Sequence, residues 1–291
     1  GQALSAFGSK PGFAREMTYV DLAGAEFFLR EGEYAAAIRT FGSAKKRLKA
    51  NGRGRGVLAS RVNHFLGHIA HITKRYDFAV KGYVEAAIAR QELLEAYARY
   101  SSAADLRELD RELRSDIDGL VSLDLEPNGV SPSSKEGIKL RKTALAIVLM
   151  RKGWIVEAQM KQLSRLRQSA SPKAEKAARA LSDVQGHLAN MIIRGPIARK
   201  KWDDALLHIA RDQRRAAERA VASLALEESH RPKSYSDLLT VQVMGQLPAG
   251  AALIEFVSYR PIRTQRQKHE DYLDEPHYAA YVVRKGAEPE V

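Results

Sequence analysis

The sequence contains no cysteine. That excludes disulfides, thiolate metal ligands and a cysteine nucleophile within these residues, and it fits a cytoplasmic setting. Long apolar runs are also missing. The most apolar stretch, TALAIVLM at 143–150, falls far short of the roughly 18–20 residues that span a bilayer. It reads as part of a buried helix, and no membrane partner is expected. Tryptophan is scarce, with two residues in the chain, which leaves little for a base-stacking platform. No signal-peptide pattern is present, and the chain opens on Gly1, as a fragment of a longer protein would. HExxH, GxSxG and EF-hand patterns are absent. GRGRG at 52–56 lacks the Lys-Ser/Thr that follows in a phosphate loop, and it reads as a flexible connector.

Against these absences stands a globular composition, 45% hydrophobic and 28% charged over 291 residues. It is enough for one large or two modest domains. The net charge of +12 is unevenly placed: residues 131–220 hold 20 Lys and Arg against 8 Asp and Glu, and the remainder balances at 27 of each sign. Arg141, Lys142, Arg151 and Lys152 flank one expected helical hairpin, and Arg199, Lys200, Lys201, Arg211, Arg214 and Arg215 flank another. Such a surplus suits an acidic protein surface or, as the alternative, nucleic acid.

Laid over itself with a shift of 42, the first third of the chain agrees with itself. Ala25 falls on Gly67, Tyr34 on Tyr76, Ala37 on Ala79, Phe41 on Tyr83 and Ala44 on Ala86. Each copy carries two helical patterns broken by a short turn, EGEY at 31–34 and KRYD at 74–77. Small residues at 25, 37, 67 and 79 allow close helix approach, while the aromatics fill the gaps. Over 18–94 this pattern resembles a pair of tetratricopeptide (TPR) units, whose usual period of about 34 residues is here lengthened by longer helices or by NGRGRG at 51–56.

The expected organisation is mainly α: a TPR-type helical hairpin array, then a long antiparallel helical hairpin and a short C-terminal β segment. Residues 1–17 form a flexible or partial N-terminal segment, 18–134 the TPR-like repeats and a following helix, and 135–168 a degenerate hairpin turning at RKG, 151–153. Residues 171–230 form the long hairpin, started by SPKAE with its serine cap and proline. Its expected seams are Leu181, Val184, Leu188 and Met191 on one helix, and Trp202, Leu206, Ile209, Ala216, Ala220 and Leu224 on the other. Residues 235–291 carry two strands, at 252–259 and 278–286, around a polar connection. Glu255 is the one odd charge in the first, expected to face solvent or a basic group. Unpaired edges on such a strand pair make a homodimer through them a further expectation.

LPAGAALIEFVSYRP at 247–261, EPHYAAYVV at 275–283 and the RKG punctuation, together with the TPR copies, resemble the bacterial TPR–CHAT proteins. CHAT domains are caspase-like, and the resemblance implies a histidine–cysteine dyad downstream of these opening strands. This chain has no cysteine and ends at Val291, before those motifs. The resemblance therefore implies the non-catalytic part of such a protein, with no cofactor and no catalytic residue.

The candidate site lies in HFLGHIAHI at 64–72. His64, His68 and His71 are spaced four and then three, so they share one helix face. The outer pair lies about 10 Å apart along the axis, which disfavours a shared metal ion. Catalysis lacks a neighbouring nucleophile, and packing or solvated histidines are the plain alternative. The resemblance to TPR units places Arg61, His64, His68 and His71 on a concave groove. Tyr19, Leu22, Glu26, Leu29 and Arg30 lie on the equivalent face of the first copy. The favoured reading is a protein-interaction scaffold that binds a partner segment there. A cationic partner would then be lost below about pH 6, where free imidazoles charge.

Overall fold

The computed structural model describes residues 14–52, 54, 56–98, 101–126, 129–168, 172–193, 201–224, 245–263 and 273–291. Among them are nine helices: α1 (Ala14–Arg30), α2 (Tyr34–Ala50), α3 (Val57–Ile72), α4 (Tyr76–Ala98), α5 (Ala103–Glu112), α6 (Ser115–Asp124), α7 (Lys135–Gln168), α8 (Pro172–Ile193) and α9 (Lys201–Leu224). Two strands follow, β1 (Ala252–Tyr259) and β2 (His277–Arg284). The protein is mainly helical, with a small antiparallel sheet near the C-terminus. The chain divides into two compact units, one of Gly1–Leu93, Leu113–Met150 and Tyr235–Val291, the other of Leu94–Glu112 and Arg151–Ser234. This differs from the linear series of segments read from the sequence.

In the first unit, the self-similarity of the sequence becomes a repeat of backbone. At the first turn, Gly32 N–H donates to the Leu29 carbonyl at 3.1 Å and Glu33 N–H to Phe28 at 2.8 Å. At the second, shifted by the same 42 residues, Lys74 N–H donates to His71 at 3.0 Å and Arg75 N–H to Ala70 at 2.7 Å. Both turns end a helix through a left-handed residue that returns the last amides to the orphan carbonyls. Gly32 adopts φ +78° without strain, whereas Lys74 is held at φ 56°. A side chain in that region is costly, so Lys74→Gly is expected to stabilise the fold by about 1 kcal/mol. Urea titration of the two proteins checks this.

The packing repeats as well. Ala25, Ala37, Phe41 and Ala44 of the first hairpin and Gly67, Ala79, Tyr83 and Ala86 of the second are all buried. Phe41 stacks on Phe65 with ring centroids 5.3 Å apart, which ties α2 to α3. One core joins Leu22 and Leu29 of α1 to Leu48 of α2 and to Val62 and Ile69 of α3. A second core joins α4 to α6, to α7 up to Met150 and to the sheet.

The charged stretch after α4 is two helices rather than one. α6, SDIDGLVSLD, is buried on nearly every side, a 10-residue helix that acts as a central pin. Its partners are charged: Arg90 of α4 meets Asp116 at 2.7 Å, and Arg141 of α7 meets Asp124 at 3.6 Å. The Tyr281 hydroxyl of β2 donates to Asp124 at 3.2 Å. Beyond β1, the Arg260 N–H donates to Asp118 at 3.3 Å and the Ile262 N–H to Ser122 at 2.8 Å.

β1 and β2 pair from Ala252 opposite Arg284 to Tyr259 opposite His277. Alternation puts Glu255, Val257, Tyr259, Tyr281 and Val283 inward and leaves Ile254, Phe256 and Tyr278 exposed. Of the two expectations for Glu255, facing solvent is the one corrected: it is buried in this inner row. The strand edges are less open than the sequence suggests. Val282 exchanges both backbone hydrogen bonds with Glu290, and the Arg114 guanidinium donates to the Ser258 carbonyl.

Three further expectations are corrected. α1 begins at Ala14, inside the segment 1–17 read as flexible or partial. The turn expected at 151–153 does not form, because α7 runs unbroken from Lys135 to Gln168. A single glycine costs a helix only about 1 kcal/mol, and no proline stands there to stop it. In the second unit, α8 and α9 pack antiparallel, Leu181 meeting Val221 and Leu188 meeting Leu207 and Ala210. The expected α8 seam is present at Leu181 and Leu188. The α9 stripe is rotated by one position: Ile209, Ala216 and Ala220 are exposed, while Leu207, Ala210 and Val221 are buried. Small residues at 210 and 217 let the helices approach closely, so the bulky Ile209 is not needed in the seam. α5 opens with a reciprocal cap, Ser102 N–H to Asp105 at 3.1 Å and Asp105 N–H to Ser102 Oγ at 3.2 Å. Arg219 of α9 adds a charged hydrogen bond to Asp105 at 2.9 Å, the main cause that holds this carboxyl near a pKa of about 2.

Candidate partner-binding site

The face shared by α1 and α3 is where a groove is expected. Its residues separate into two groups. Tyr19, Arg30 and Arg61 are exposed, and Arg61 reaches Glu26 across the two helices at 2.7 Å. Leu22 and Leu29, by contrast, are 2% and 1% exposed and belong to the core. His68 and His71 are 2% and 1% exposed. These four cannot touch a partner from where they stand, and they are removed from the groove. The reason is visible in the repeat itself: a shift of 42 puts His64 on Leu22 and His71 on Leu29. His64 and His71 occupy positions that the first hairpin fills with leucine, while His68 falls on Glu26.

The histidine interior is organised around Tyr83 of α4. His71 Nδ1 lies 3.4 Å from the Tyr83 hydroxyl, and its Nε2 lies 3.1 Å from Glu126. His64 packs against the same ring with centroids 5.7 Å apart and stacks on His68 at 6.3 Å. The far side of Tyr83 lies on Gly119 of α6, where a Cβ would come within 2.5 Å of the ring. The cluster is therefore closed over by α6 rather than open to a hollow. Among the described residues, no group of three or more His, Asp or Glu is placed to hold a metal ion.

Burial, reinforced by the nearby Arg90 guanidinium, lowers His64 to a pKa of about 3. Burial also lowers His71, with Glu126 opposing the shift. His64 is therefore neutral through pH 6, and the expected loss of a cationic partner below that pH has no source in it. The linkage has the opposite meaning: below pH 6.5 the unfolded chain takes up more protons at these two positions than the folded state does, so stability falls as pH drops.

Asp118 of α6 works in the other direction. Desolvation raises its pKa to about 6, against the pull of Arg114 and the Arg260 amide. The folded state holds this proton up to about pH 6 and the unfolded chain only to about pH 4. Its contribution is thus present below pH 4 and is lost as pH rises to about 6, on the order of 2 kcal/mol. Asn at 118 keeps an acceptor for the Arg260 N–H and cannot ionise. Asp118→Asn is expected to be more stable than the parent at pH 8 and equal to it at pH 4, as thermal melts across that range would show.

Four of the ten basic residues singled out in the sequence pair with carboxylates. Arg141 faces Asp124, Lys142 pairs with Glu288 at 2.6 Å, Arg151 with Asp110 at 2.7 Å and Arg214 with Glu218 at 2.8 Å. Arg199 and Lys200 lie outside the described residues, as do residues 264–272 of the polar connection. Charges neutralised by carboxylates release few counterions from a phosphate backbone. Among the described residues, no helix is long and apolar enough to cross a membrane. Compared with family models, with curated proteins and with solved structures, the chain finds no match.

Proposed function

We propose that the chain is a protein-interaction scaffold whose α1–α4 hairpins are TPR-type units, binding a partner segment across α1 and α3. The observation that carries this reading is the pair of superimposed turns, in which the same backbone hydrogen bonds recur 42 residues apart around Gly32 and Lys74. Stacked helical hairpins present an extended face that is used for binding in such arrays. On this face the contact residues are Tyr19, Arg30 and Arg61, with Glu26 orienting Arg61 and His64 lying half-buried behind them. An aromatic ring and two guanidiniums suit an extended segment carrying carboxylates.

The resemblance of 247–261 and 275–283 to CHAT domains supports a further part of the same reading: β1 and β2 are the opening strands of a caspase-like domain, and this chain is its non-catalytic portion. The sequence holds no cysteine, so no peptide-cleaving step is assigned to these residues. A cytoplasmic setting belongs to the same proposal.

Panning a random peptide display library against the full chain tests the binding reading. Sequence-related, acid-containing peptides are expected, and Tyr19→Ala/Arg61→Glu should weaken their affinity at least tenfold. Peptides whose affinity this double variant leaves unchanged would contradict the site.

A further inference from the structure

The outer side of α1, turned away from the buried Leu22, Ala25 and Leu29, carries a second pattern. Glu16, Val20, Ala23, Phe27 and Arg30 follow one another at spacings of four, three, four and three, and all five are exposed. On a helix that spacing makes one straight stripe. Val20 and Phe27 are 52% and 60% exposed, large apolar groups on the first described helix of the stack. Apolar groups of that size on an exposed helix face invite another surface.

We propose that this stripe pairs with the same stripe of a second copy, the two α1 helices running antiparallel about a twofold axis at Ala23. The stripe is self-complementary under that operation. Rotation about Ala23 places Glu16 of one copy opposite Arg30 of the other, twice over, and sets Val20 against the region of Phe27. Ala23 at the axis, flanked by Gly24 with nothing within 4 Å of its Cβ position, lets the two backbones approach. A parallel pairing would instead set like charges together. Because one helix stripe buries less than the roughly 1,200 Å² of a tight interface, the dimer is weak and reversible, with a Kd on the order of 10–100 µM. The stripe shares Arg30 with the proposed peptide site, whereas Glu16, Val20, Ala23 and Phe27 belong to the stripe alone.

Sedimentation equilibrium of the full chain up to about 1 mM tests the pairing. The parent protein should show a monomer–dimer equilibrium, and Phe27→Asp should be monomeric with an unchanged melting temperature, since Phe27 is exposed. Glu16→Arg or Arg30→Glu alone should weaken the dimer about tenfold by setting like charges opposite one another. Mixing these two variants should restore it, because the mixed dimer has both contacts of opposite sign. Phe256→Asp on the exposed sheet face should have no effect. A parent that is monomeric throughout would overturn the proposal; if a chain starting at Ala14 then dimerised, residues 1–13 would be the occupant. A dimer that survives Phe27→Asp, dissolves on Phe256→Asp, or is not restored by mixing would also overturn it.

Discussion

Arg90→Ala is expected to destabilise the first unit by about 3–5 kcal/mol, a large part of what holds any domain folded. Arg90 donates four hydrogen bonds to three other parts of the first unit. Its guanidinium donates to Ser60 Oγ at 2.8 Å, the Leu113 carbonyl at 2.8 Å, Ser115 Oγ at 2.9 Å and Asp116 at 2.7 Å. It is the point at which α3, α4 and the start of α6 are tied together. Asp116 is 0% exposed, so removing Arg90 takes the paired cation from a desolvated carboxylate. The loss belongs to the stranded charge more than to the pair. An apolar double replacement, Arg90→Met/Asp116→Leu, is therefore expected to recover most of the stability. Chemical denaturation of the three proteins separates the two explanations: equal damage in single and double variants would show that the network's geometry, not the orphaned charge, is what matters.

The second large effect is expected at Gly82. A Cβ there would lie 2.5 Å from Gly67 Cα, 2.6 Å from Gly67 N and 2.9 Å from the Asn63 carbonyl. All three are backbone atoms of α3, so no side-chain rotation relieves the clash and the helices themselves must part. Overpacking of this kind costs about 1–3 kcal/mol and sometimes more. Gly82→Ala is expected at the upper end, near 3 kcal/mol, and Gly82→Val should leave α3 and α4 unable to pack. Gly42 of α2 is the matching control. It has nothing within 4 Å of its Cβ position, so Gly42→Ala should stabilise by roughly 0.5–1 kcal/mol through helix propensity alone. Thermal melts that place the two alanine variants together would contradict the close crossing of α3 and α4.

Much of the fold was legible because its signals are local. The small and large residues of the two hairpins, the turns at EGEY and KRYD, and both strands can be read from spacing alone. Gly67 was visible as a small residue, but its partner Gly82 was not, because Thr40 stands at the equivalent place in the first copy. The turn expected at 151–153 failed for the opposite reason: a lone glycine is a local signal too weak to stop a helix.

The histidines were misjudged because a helix face has no sign. Spacing places three imidazoles together without saying whether that face meets water or protein. The leucines at 22 and 29 carried the answer, since a repeat conserves its core positions more strictly than its chemistry. What the sequence could not show is α6, whose Gly119 backs the Tyr83 ring of α4 and which is followed by Glu126, 3.1 Å from His71. Its three aspartates are each buried against a different element.

The most direct test of the account is the titration of the imidazoles, followed by the 13Cε1 shifts of labelled histidine between pH 8 and pH 5. A ring packed beneath α6 should stay neutral, with the His64 signal unmoved across that range, and His71 should titrate below the ordinary imidazole value. A His64 ring that protonates near pH 6.5 would stand in water. The packed interior around Tyr83, and with it the division between core and contact residues on α1 and α3, would then be wrong.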